Sequence, residues 1–97
     1  MDQYILSKKT QEDIDDIYDF GADKFGEDQA LEYLIGLRTN FEFLLKNPHI
    51  GKKRNETKEE LFSSPYVSHI VFYGVFNNHI RIVRVLHGSR DYKNFLK

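Results

Sequence analysis

The sequence of 97 residues has no cysteine, no tryptophan and only two prolines. Without cysteine there is no disulfide framework, no thiolate nucleophile and no sulfur-ligated zinc, so the fold rests on packing. No stretch approaches the roughly 20 apolar residues of a membrane helix. The opening MDQYILSKK has no basic start followed by an apolar core and a small-residue cleavage site, so a secretory leader is not expected and the expected compartment is the cytoplasm. The glycines are scattered, with no phosphate-cradling loop among them.

What is present is aromatic and charged. Eight Phe and six Tyr supply much of the area available for burial, enough for one small domain spanning residues 1–97. The net charge of −1 hides an opposition between the two ends. Residues 1–33 hold ten acidic against three basic side chains, and residues 34–97 five against eleven. One surface therefore suits an acidic partner and another repels it.

Residues 3–7 read as a short strand. Thr10 is the expected N-cap of a first helix, its hydroxyl accepting the Asp13 N–H. Ile14, Ile17, Tyr18, Gly21 and Phe25 recur at helical spacing as an inward stripe, leaving Glu12, Asp13, Asp15, Asp16, Asp19 and Asp23 to water. Gly26 is the expected left-handed stop. A second helix is expected over residues 28–46, with Ala30, Leu34, Leu37, Phe41, Leu44 and Leu45 inward, ending at Asn47 in a left-handed cap before Pro48. Residues 49–60 read as an exposed polar loop leading to a strand at 60–63. Residues 66–76 and 80–87 are rich in β-branched and aromatic residues on either side of Asn77–Asn78, an antiparallel hairpin signal.

The hairpin register follows from burial. An even loop puts Ile70, Phe72, Val83 and Val85 on one face, and His69, Val71, Tyr73, Ile82, Arg84 and Leu86 on the other. An odd loop would leave Arg84 as an unpaired charge among Ile70 and Phe72, at a cost of several kcal/mol. The even register is therefore expected. The helical hairpin then covers the Ile70/Phe72 face, and the reverse face, with His69, Tyr73 and Arg84, stays open for docking. The alternative is that residues 92–96 fold back as a short helix and cover it. His69 and His87 fall on opposite faces in this register, which speaks against a shared metal site, and His87 before Gly88 is placed to hydrogen-bond the following turn. The expected fold is α+β, a β-α-α-β-β-β order with an antiparallel two-helix hairpin on one face of an antiparallel sheet.

The segments FGEDQA between the helices, NPHIGKKR after the second, SHIVFY at 68–73 and RVLHGSRDY at 84–92 resemble the RelE/ParE superfamily of bacterial toxins, and within it the ParE branch. The resemblance spans nearly the whole chain. It implies the toxin of a type II toxin-antitoxin system, neutralised by a small cognate antitoxin and, in ParE members, poisoning DNA gyrase. Operator binding would belong to the complex, not to this chain.

The RelE branch instead cleaves messenger RNA on the ribosome, which requires an acid, a base and cations around the scissile phosphate. Arg90 matches the arginine that RelE-like members carry after the last strand, and Tyr92 or His87 offers a proton carrier. Residues 66–76 hold no Lys or Arg, only His69, which favours the non-catalytic branch. No catalytic, metal-ligating or cofactor-binding residue is expected. His69, Tyr73, Arg84, His87, Arg90 and Tyr92 are the candidate antitoxin or target contacts. The Lys52, Lys53, Arg54 cluster is read as a solvated loop, or else as a contact for acidic antitoxin residues or a gyrase–DNA complex. The rivals are a ribosome-dependent endoribonuclease and a toxin-fold module that only binds.

Overall fold

A computed structural model describes residues 3–89 and 92–96. Strand β1 (Gln3–Leu6) leads into helix α1 (Lys8–Phe25) and helix α2 (Glu27–Lys46). Strands β2 (Lys52–Arg54), β3 (Leu61–Tyr66), β4 (His69–Val75) and β5 (His79–His87) follow, then the short helix α3 (Tyr92–Leu96). The sheet order is β1-β5-β4-β3-β2. Only the β1–β5 pair is parallel; the rest are antiparallel. The expected α+β order is present, with β2 added inside the predicted polar loop. A three-residue cationic edge strand carries no apolar period and so leaves no pattern to read.

Helix α1 begins one turn earlier than expected. Ser7 is the N-cap, its Oγ accepting the Thr10 N–H at 3.0 Å. Thr10 is buried, and its hydroxyl donates to the Ile82 carbonyl at 2.9 Å while Ser7 Oγ donates to the Val83 carbonyl at 2.9 Å. These hydroxyls serve the carbonyls beside a bulge in β5, which explains two polar residues at a helix–sheet seam. Gly26 separates the helices at φ 95°, as a residue without Cβ can. Asn47, by contrast, ends α2 at φ −134°, outside the left-handed region. Phe25 is 61% exposed rather than inward.

The bulge decides the faces. Near the turn Tyr73 pairs Ile82 and Val75 pairs Ile80, the even parity expected. Beyond the shift between Phe72 and Tyr73, Phe72 pairs Arg84, Ile70 pairs Leu86 and His69 pairs His87. Val83 is the extra residue, and every later side chain of β5 changes face relative to β4. The helical hairpin covers Val71, Tyr73, Ile80, Ile82 and Val85 with Leu37, Phe41 and Leu44. For β4 and the turn-side half of β5 that is the face opposite to the one assigned from the register argument, whereas Val85, beyond the bulge, is helix-covered as expected. Phe72 and Leu86 lie on the reverse face under Leu96, Phe95 and Tyr92, so the fold-back of residues 92–96 is the arrangement found.

The β3–β4 turn falls at Val67–Ser68, inside the predicted single strand, with Val67 at φ 50°. Pro65 sits within β3 opposite Ile70, beyond the last residue paired by β2, where its missing N–H breaks no ladder bond. No described helix is long and apolar enough to cross a membrane.

Candidate partner-binding surface

On the reverse face the pairing lines up Lys52, Ser63, Phe72 and Arg84 in one row, and Arg54, Leu61, Gly74, Arg81 and Ile5 in the next. The expectation of few cations there is corrected. Strand β4 has none, but β2 and β5 on either side bring arginines across the sheet, which inspection of one strand cannot reveal.

Two of these arginines are already engaged. Arg84 forms a two-point pair with Asp13, Nε to Oδ2 at 2.8 Å and Nη2 to Oδ1 at 2.9 Å, and Asp13 Oδ2 also accepts the Val85 N–H at 3.0 Å. The carboxylate hydrogen bonds raise the Arg84 guanidinium further above its usual pKa, outweighing the effect of its burial. Asp13, assigned to solvent from the helical period, is thus the partner that makes an arginine beside Phe72 affordable. Arg54 Nε donates to Ser63 Oγ at 2.7 Å, its Nη1 is 3.4 Å from Glu56, and its guanidinium lies 6.0 Å from the Phe72 ring centroid. Arg54 is therefore half-buried against the sheet and not a loop cation, while Lys52 and Lys53 are exposed. Tyr92 shares this face and stacks on Phe72 at 6.4 Å, and Phe95 meets Phe72 at 5.0 Å and Arg84 at 5.8 Å. Arg90 lies outside the described residues.

Beside α3 a half-open groove of about 740 Å³ remains. Gly74 forms part of its floor, and Lys8, Lys9, Arg81, Glu59 and Glu60 stand around it.

His69 and His87 do not fall on opposite faces. They are cross-strand partners on the helix-covered side, ring centroids 5.3 Å apart. Tyr33 of α2 reaches them, its hydroxyl 2.6 Å from His69 Nδ1 and accepting the Ser68 N–H at 3.4 Å. Burial raises the Tyr33 phenol pKa above its ordinary value. His87 Nδ1 accepts the Ser89 N–H at 3.2 Å, the turn contact expected for it. Tyr73 is fully buried on the same side; its hydroxyl donates to the Pro48 carbonyl at 2.9 Å and accepts the Gly51 N–H at 3.0 Å. It fastens the α2–β2 connection and offers nothing to a partner.

The imidazoles and the arginines are therefore divided by the sheet, and Tyr92 is the phenol left beside carboxylate-bound arginines. Among the described residues no group of three or more His, Cys, Asp or Glu could hold a metal ion. Sequence reasoning missed Asp13, Tyr33, Arg81 and Phe95. The spacing Thr10–Asp13–Ile17 was the available signal for Asp13, since it continues the buried stripe.

Residues 4–92 match the profile of a family described as "ParE toxin of type II toxin-antitoxin system, parDE". The chain is 31% identical over 91 residues to Toxin ParE1 of Caulobacter vibrioides, covering 94% of each. It is 34% identical over 90 residues to Toxin ParE1 of Mycobacterium tuberculosis, covering 92% of each. A solved structure titled "Chromosomal ParDE TA system from P. aeruginosa" shares the fold with a TM-score of 0.75 at 20% identity, over 90% of this chain and 95% of that one. Profile, relatives and fold agree, and the chain belongs to the ParE toxins of type II toxin-antitoxin systems.

Proposed function

We propose that this toxin acts in the cytoplasm as one domain, inhibits DNA gyrase by protein–protein contact without catalysis of its own, and is neutralised by a cognate antitoxin. The observation that carries the non-catalytic reading is the Asp13–Arg84 pair. A guanidinium held at two points by a carboxylate has its charge answered within the fold. It is a poor clamp for a transition-state phosphate, which needs donors aimed at developing charge. Arg54 beside Glu56 supports the same reading. The charged, aromatic surface around α3 suits an antitoxin tail that orders as it binds.

The test adds purified toxin to gyrase with supercoiled DNA, and separately to translating ribosomes. Trapped gyrase–DNA cleavage complexes, relieved by the antitoxin, are the expected result. Cuts in messenger RNA at codon positions, lost in Arg90→Ala, would establish the ribonuclease instead. Unimpaired growth at high toxin expression without antitoxin would mean that the chain only binds.

A further inference from the structure

The groove beside α3 has a polarity that identifies its occupant. Strand β4 lies between β5 and β3, so Lys8, Lys9 and Arg81 stand on one side of Gly74, and Glu59 and Glu60 on the other. All five are exposed. The lining between the two charged sides is apolar, supplied by Leu61, Val83, Phe95 and the half-exposed Phe76. Gly74 carries no side chain, and the Phe76 ring lies over it, 3.3 Å from where a Cβ would stand.

An apolar trough rimmed by charged residues is the anatomy of a protein interface. Nucleic acid is disfavoured because the two glutamates would face its phosphates. Lys8 and Lys9 sit in the first turn of α1, where the helix dipole disfavours cations. Lys9 is answered by Glu12 at 4.0 Å, while Lys8 has no ion-pair partner among the described residues and is available to an acidic partner.

We propose that this groove receives an extended segment of the antitoxin that is bipolar across its width. Its acidic side chains face Lys8, Lys9 and Arg81, its basic ones face Glu59 and Glu60, and an apolar side chain descends between Phe76 and Phe95. This rests on the antitoxin reading above and adds the docking site and the charge pattern of the bound segment.

The experiment titrates the purified full chain with the purified antitoxin encoded beside it, at low and moderate salt, with light scattering on the chain alone. Two charge reversals are compared, K8E/R81E and E59K/E60K. Each should weaken binding about tenfold or more, the value of roughly one to two lost charge pairs at an interface. Each should also recover when the facing antitoxin charges are reversed. Melting temperatures report the fold, and K8E should not lower that of α1 because it matches the dipole. Wild-type affinity in both variants would overturn the proposal while leaving the antitoxin reading intact. Weakening by K8E/R81E alone would also overturn it, as general attraction of an acidic protein. Self-association of the wild-type chain abolished by both reversals would assign the groove to a second copy and overturn it. Failure of the wild-type chain to bind antitoxin would remove the antitoxin reading and this inference together.

Discussion

Asp13 and Arg84 lie 71 positions apart in the chain and meet through two hydrogen bonds of 2.8 and 2.9 Å, with side chains 11% and 26% exposed. The pair joins α1 to β5 beside the bulge, and its arginine lines the groove. Asp13→Ala leaves a partly buried guanidinium without its carboxylate and the Val85 N–H without an acceptor. We expect a loss of about 2–4 kcal/mol, read from the midpoint of urea unfolding. Asp13→Ala/Arg84→Met should recover much of it, because removing both charges also removes the desolvation cost.

Gly36 lies under the Tyr66 ring, and a Cβ there would collide with the phenol oxygen. That oxygen is held by donation to the Tyr33 carbonyl at 2.8 Å and has little freedom to yield. Alanine is the better helix former by about 1 kcal/mol, yet Gly36→Ala should destabilise by about 1–3 kcal/mol through overpacking. Thermal unfolding of Gly36→Ala and of Gly36→Ala/Tyr66→Phe checks this, the second variant being the more stable of the two.

Val67, at φ 50° and 76% exposed, occupies a backbone region that a β-branched residue strains to reach. Asn reaches it at lower cost, and the residue makes no core contact to lose. Val67→Asn should add about 1 kcal/mol, raising the melting temperature by roughly 4–8 °C for a domain of this size.

Burial raises the Tyr73 phenol pKa above its ordinary value of 10.0. In the unfolded chain this phenol ionises first, so the unfolded state binds fewer protons above that pH and stability falls as pH rises. The contribution is complete below pH about 10 and is lost as pH climbs through the raised folded value. Tyr33 and Tyr66 shift the same way for the same cause. Unfolding free energies at pH 8, 10 and 11 should therefore decline, and less steeply in Tyr73→Phe, which is less stable at pH 8 because Pro48 and Gly51 lose their hydroxyl partner.

Local rules carried the elements. Periodicity placed both helices, Gly26 divided them, and β-branched runs located β4 and β5, because each signal is contained within a few consecutive residues. The toxin family was legible too, through SHIVFY and RVLHGSRDY. The choice of face belonged to the tertiary structure. Strand alternation has a period of two, so one extra residue at Val83 exchanges the two sides beyond it. That extra residue is accommodated because Ser7 and Thr10, more than 70 positions away, serve the carbonyls of Ile82 and Val83. The same long-range geometry brings Asp13 to Arg84 and His69 to His87. A pattern read along the chain can say that a residue is apolar or charged; which neighbour answers it depends on contacts between segments the chain keeps far apart.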